Sequence, residues 1–165
     1  MIITIVSTLM IMLGYFLMLY GAVGFIQDKR LFSSAPKENL AVIPDRKERF
    51  KGAHIVGWVI FVFAVLLFIG AFALGIWDGA KSGFGTLRFF ARFITMLYAM
   101  EIYDILFFDW YLLCRSNFFV YFYPELANVD RCHFFGYNKK AHIVHFIVYV
   151  PACAALALCC GALFS

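Results

Sequence analysis

The sequence predicts an all-α membrane protein with four transmembrane helices. Three observations carry that prediction. Of 165 residues, 64% are hydrophobic and only 15% charged, with a mean hydropathy of +0.86, whereas soluble domains are about half apolar. The apolar residues gather into four stretches, each long enough to cross a hydrocarbon core of roughly 30 Å as a helix. No stretch alternates polar and apolar residues in the short segments of a barrel strand, and helices then remain as the structure that satisfies its own backbone in lipid.

The first span runs from about Ile2 to Ile26 and carries no charge before Asp28. It has neither a basic leader nor a small-residue cleavage site, so it reads as a retained span rather than a signal peptide. A polar link, "QDKRLFSSAPKENLAVIPDRKERFKG", leads to the second span, about Ala53 to Trp77. The turn "DGAKSGFGT" is short and glycine-rich, as helical hairpin connections are, and delivers the third span, about Leu87 to Leu113. The link "RSNFFVYFYPELANVDRCHFFGYNKK" is long and aromatic, and the fourth span follows from about Ala141 to Phe164. All four belong to one polytopic domain, residues 1–165.

Lysines and arginines set the orientation. Lys29, Arg30, Lys37, Arg46, Lys47, Arg49 and Lys51 lie in the first link, and Arg115, Arg131, Lys139 and Lys140 flank or fill the third. The positive-inside rule puts both links in the cytoplasm and both termini outside, in a cell (inner) membrane. The formal charge of +4 suits anionic headgroups, so membrane lipids are the expected partners and nucleic acid is not.

Two spans open on nearly the same letters, "KGAHIV" at Lys51 and "KKAHIV" at Lys139. Aligning them pairs Ala53 with Ala141 and His54 with His142, and suggests two helical hairpins related by a pseudo-two-fold axis along the membrane normal. Chance matching among few apolar letters is the alternative. By helix rise, His54 and His142 lie roughly 5 Å inside the flanking lysines and His145 roughly 9 Å, with Asp109 roughly 9 Å before Arg115. Three histidines and a carboxylate thus fall into one slab beneath the cytoplasmic headgroups. His142 and His145 share a face, and their place near a helix amino terminus favours the neutral imidazole that binds metal or accepts a proton. The plainer alternative is that they meet headgroups, water or backbone.

The third span, "YAMEIYDILFFDWYLLCR", places Glu101 and Asp104 roughly 21 and 16 Å from Arg115, mid-bilayer. An acid there costs about 2.5 to 3.5 kcal/mol on insertion scales and normally faces a bundle interior on a functional path. Tyr98, Glu101, Asp104 and Asp109 fall within an arc of about 140°. Two carboxylates one turn apart in low dielectric do not comfortably both ionise, which prepares one of them to carry a proton. The structural alternative is a polar staple to the hydroxyl of Tyr15, Tyr20 or Tyr149. Arg88 and Arg92 read as interface anchors, or as partners for acids of another subunit.

The five cysteines show no CxxC spacing and no disulfide framework. Cys132 with His133, near Cys114, could hold a soft metal; Cys159 and Cys160 read as small packing residues beside Ala157 and Gly161, as do Ala71 and Gly75. Pro151 falls inside the fourth span and frees the Ile147 carbonyl, which predicts a kink. "FFVYFYPE" suits an aromatic belt or a lid in the headgroup zone. No Walker, GxSxG, HExxH or histidine-box motif is present.

Three function classes follow. In the first, a small oligomeric unit carries out proton- or cation-linked transport or conduction along Tyr98, Glu101 and Asp104. In the second, an inner-leaflet enzyme uses His54, His142, His145 and Asp109 as a metal or acid-base site on a lipid or other amphiphile, the donors suiting a divalent transition metal such as Zn, Fe or Mn. In the third, an accessory subunit of a larger complex uses its polar residues only to fix helix packing.

Overall fold

A computed structural model describes residues 1–28, 31, 41–44, 47–128 and 136–164. The described chain is helical, with no strand among these residues. Helix α1 is Ile2–Gly21 and continues as a π-helical turn, Ala22–Ile26, closed by Gln27 in the left-handed region. Helix α2 is Ala53–Lys81. Helix α3 is Thr86–Tyr103 and runs on as a π-helix over Asp104–Arg115. Helix α4, Phe118–Phe122, is a short aromatic segment followed by a 3-10 turn at Pro124–Asn128. Helix α5 is Lys139–Phe164 and passes through Pro151.

The long helices pack chiefly as α1 on α2 and α3 on α5, with α1 also lying against α3. Small residues make the first pair possible. The buried line of α2 is Ala53, Gly57, Ala64, Ala71, Gly75 and Gly79, spaced in fours and sevens so that they share one face. A Cβ on Gly57 would stand 2.6 Å from Ile26 Cγ1, and one on Gly14 of α1 would stand 3.0 Å from the Ala64 carbonyl oxygen. Backbones approach this closely only where side chains are missing.

Between the helices lies an apolar core of Ile11, Ala71, Phe89, Phe93, Met96, Met100, Cys153, Ala157 and Cys160. A second cluster caps the carboxy-terminal end of α1, where Phe122, Tyr123 and Leu126 of the aromatic link close over Ala22, Val23 and Ile43. Arg49, arriving from the first link, stacks 5.4 Å from the Phe122 ring centroid. The stretch anticipated as a belt or lid is therefore folded onto the bundle end.

Among the described residues, three helices are long and apolar enough to cross a membrane: Ile2–Ile26, Ala53–Lys81 and Lys139–Phe164. The expected third span does form one continuous helix over 86–115. Arg88, Arg92, Glu101, Asp104 and Asp109 keep it from qualifying by composition, so the expected count of four spans is reduced to three by that measure. This helix supplies half of the buried polar groups among the described residues, with Arg92, Glu101 and Asp109 all hidden from the surface.

Neighbouring helices pack in two pairs, but the two aligned helix entries are used differently. In α2 the buried residue is Ala53, with His54 beside it half-exposed; in α5 the buried residue is His142, with Ala141 exposed. Burial has moved by one residue, about 100° around the helix. Gly57, which receives α1, aligns with the half-exposed His145.

Candidate functional site

The site is built where α3 crosses α5. Glu101 ends a buried row of α3 that includes Phe93, Met96 and Met100, and its side chain has 0% exposure. His142 is the first buried residue of α5, and His145 follows one turn later on the same face. Both imidazoles turn their Nδ1 atoms to one carboxylate oxygen. His142 Nδ1 lies 2.7 Å from Glu101 Oε1, and His145 Nδ1 lies 3.0 Å from the same atom.

Each of these groups is held by a further partner. His142 Nε2 lies 2.8 Å from Asp109 Oδ2, and Asn138 Nδ2 donates to Asp109 Oδ1 over 3.4 Å. The Tyr149 hydroxyl donates to Glu101 Oε2 at 3.0 Å. Tyr15 of α1 donates to Asp104 Oδ2 at 3.4 Å, and that oxygen stands 3.9 Å from His142 Nδ1. Three carboxylates therefore surround one buried imidazole.

A donor count defines the chemistry. A neutral imidazole has one N–H and one lone pair, while an ionised carboxylate only accepts. His142 has a carboxylate oxygen at each nitrogen, so the arrangement is satisfied when the ring carries both protons, when one carboxyl is protonated, or when a cation stands between ring and carboxylate. Three carboxylates against two imidazoles leave negative charge to be neutralised in a low-dielectric setting. Protons or a metal ion are the groups that can do so.

The expected site residues divide clearly. Glu101, Asp104, Asp109, His142 and His145 come together. The deep acids and the histidine slab, anticipated at separate depths, are one cluster. A depth counted from Arg115 on α3 and from Lys139 on α5 assumes that both mark one plane. Asn138, however, touches Asp109, so α5 begins opposite Asp109 and Arg115 lies further along. The intervening segment is π-helical, as in the Ser116 amide donating to the Tyr111 carbonyl, and i→i+5 winding advances less per residue than an α-helix.

His54 does not join this site. Its ring is 44% exposed and its Nδ1 lies 3.5 Å from Glu48 Oε1, because the face of α2 that turns inward is the one bearing Ala53 and Gly57. Tyr98 also stays out of the hydrogen-bonded cluster: its hydroxyl donates to the Phe146 carbonyl at 3.0 Å. Of the three tyrosines proposed as staples, Tyr15 and Tyr149 meet the acids, while Tyr20 packs against Phe16, Phe25 and Phe122. The Cys132 and His133 pair lies outside the described residues.

A second polar contact lies at the far end of α3. Arg88 is exposed, as an interface anchor would be, but Arg92 is buried. It donates to the Gly75 carbonyl and to Asp78 Oδ2, and lies 4.4 Å over the Phe84 ring centroid. Arg92 is therefore not the interface anchor expected, and its acid partner, Asp78, belongs to the same chain. Neither Asn138, in a polar link, nor Asp78, beside the glycine-rich run at the end of α2, carries a sequence signal that marks it as inward-facing.

Compared with family models, with characterised proteins and with known structures, the chain matches none.

Proposed function

We propose that the chain is a four-span integral membrane protein that performs cation-linked transport or conduction, with Glu101, His142 and His145 as its cation site. The observation that carries this reading is the convergence of Glu101, His142 and His145, one ligand atom from each, all within 4.8 Å of one another. Ionisable groups at this depth are costly to insert and mark ion pathways. Asp104 and Asp109 extend the acidic lining on either side of His142. The helix over 86–115 counts as the fourth span because Arg92, Glu101, Asp104 and Asp109 face partners inside the bundle. Both long links are then cytoplasmic by the lysine and arginine bias.

An oligomer, or a partner subunit, is supported by His145. Its side chain is 47% exposed, with the exposed Val148 as its neighbour one turn on, where a lone protein would present an imidazole to lipid.

Flux into vesicles tests the proposal. Protein reconstituted with pH-sensitive and divalent-sensitive dyes inside should conduct in one of the two channels, and Glu101→Gln should reduce that flux at least tenfold while leaving the elution profile unchanged. Equal flux in Glu101→Gln would overturn the assignment.

A second reading has its own support. Phe93, Met96 and Met100 of the core lie along α3 between the acid cluster and Arg92, so that end of the site is closed. A site closed at its core end and carrying a half-exposed ligand suits an enzyme acting on an amphiphile at the inner leaflet. Turnover of a lipid headgroup without flux would favour it.

A further inference from the structure

We propose that the cation held at this cluster is a divalent transition metal of the zinc class, bound through Glu101 Oε1, His142 Nδ1 and His145 Nδ1. The inference rests on the reading of the cluster as a cation site and narrows it to one chemical class. Two imidazole nitrogens with one carboxylate oxygen suit Zn, Fe or Mn, whereas Ca and Mg select oxygen donors and Na or K would find little use for imidazole.

The distances fit that class. The carboxylate oxygen lies 2.7 and 3.0 Å from the two ring nitrogens, and all three atoms fall within 4.8 Å. Ligands about 2.0 to 2.2 Å from a common zinc ion stand somewhat over 3 Å apart, so small side-chain rotations would seat the ion.

The surrounding hydrogen bonds point the same way by an independent route. Metal-ligating histidines usually donate the other ring N–H to a carboxylate, which fixes the tautomer and turns the lone pair to the metal. His142 has this partner: Asp109 Oδ2 sits 2.8 Å from Nε2 and leaves Nδ1 facing Glu101. Asp109 is steadied by Asn138, and Tyr149 donates to the outer oxygen of Glu101. Asp104 Oδ2, 3.9 Å from His142 Nδ1, adds charge near the ion. The half-exposed His145 leaves one side open for a water or a passing ligand, so the ion has an entry that does not cross the core.

The test uses the full chain purified in detergent, with Co2+ as a visible probe and Zn2+ for stoichiometry. Wild type should take up about one Zn2+ per chain, develop Co2+ absorption bands that Zn2+ displaces, and melt at a higher temperature with Zn2+ but not with Mg2+. His145→Ala, at a half-exposed position the fold can spare, should lose the bands and the thermal shift. Asp109→Asn should bind roughly 10- to 100-fold more weakly, and His54→Ala should behave as wild type. Absence of bands and of a thermal shift in wild type would overturn the proposal, as would Co2+ binding undiminished in His145→Ala. Metal binding intact in a chain without vesicle flux would remove the transport reading and leave the metal site; Glu101-dependent flux in a chain that binds neither Co2+ nor Zn2+ would do the reverse.

Discussion

At the residue scale, the same tetrapeptide context produces two different histidines. His142 is enclosed by Glu101 and Asp109, while His54 stands half-exposed beside Glu48. Removing one partner of a buried charged network leaves the others unsatisfied, which costs on the order of 3 kcal/mol; exposed sites usually change stability by less than about 0.5 kcal/mol. His142→Ala should therefore lower the melting temperature in detergent markedly and His54→Ala hardly at all. Equal effects would show that His142 lacks the enclosure described. Arg92 permits a separate test. Its guanidinium is buried against Gly75 and Asp78, so Arg92→Leu should destabilise by roughly 3 kcal/mol, while Arg88→Leu, at an exposed site 5.9 Å from the Phe84 ring, should be close to neutral in detergent unfolding.

At the element scale, α2 is defined by the side chains it lacks. A Cβ at Gly57 would meet Ile26 Cγ1 at 2.6 Å, Phe25 Cβ at 2.9 Å and the Ile26 amide nitrogen at 3.1 Å. Backbone cannot step aside, so Gly57→Ala should force α1 and α2 apart and cost about 1 to 3 kcal/mol. Gly70 lies on the same helix, but its Cβ would touch only the flexible end of Met10 at 3.4 Å. There the usual helix preference for alanine over glycine applies, and Gly70→Ala should be neutral or slightly stabilising. Thermal unfolding of the two variants side by side decides the matter; a harmless Gly57→Ala would mean that the helices do not approach at this point. The π-helical end of α3 has a comparable role, since its winding helps bring Glu101 and Asp109 to the two sides of one imidazole.

At the scale of the whole molecule, the end bearing the acid and histidine cluster also bears the aromatic link, and the Arg92 contact lies towards the short turn. If both long links are cytoplasmic, a cysteine placed at exposed Asn128 in a Cys132→Ser background should react with an impermeant reagent only after the membrane is opened. A cysteine at Ser82, in the turn after α2, should react in intact cells. The opposite labelling would place the cluster beneath the outer headgroups and reverse the direction of access through His145.

The sequence by itself determined that the chain is helical and where its long apolar helices lie. Apolar stretches of spanning length, a glycine-rich turn and small residues in fours are local signals, and lipid leaves an isolated backbone no other option. It also identified the acids of α3 and the His142 and His145 face, because charge at those positions is expensive wherever it occurs. Only the tertiary structure decided which of these residues meet. The height of α5 against α3 joined the deep acids to the histidines, and a one-residue rotation about the helix axis turned His142 inward and left His54 outside. Such offsets follow from the packing of one helix on another, here from Gly57 receiving α1 and from His142 lodging between Glu101 and Asp109, and a repeated tetrapeptide carries no record of them.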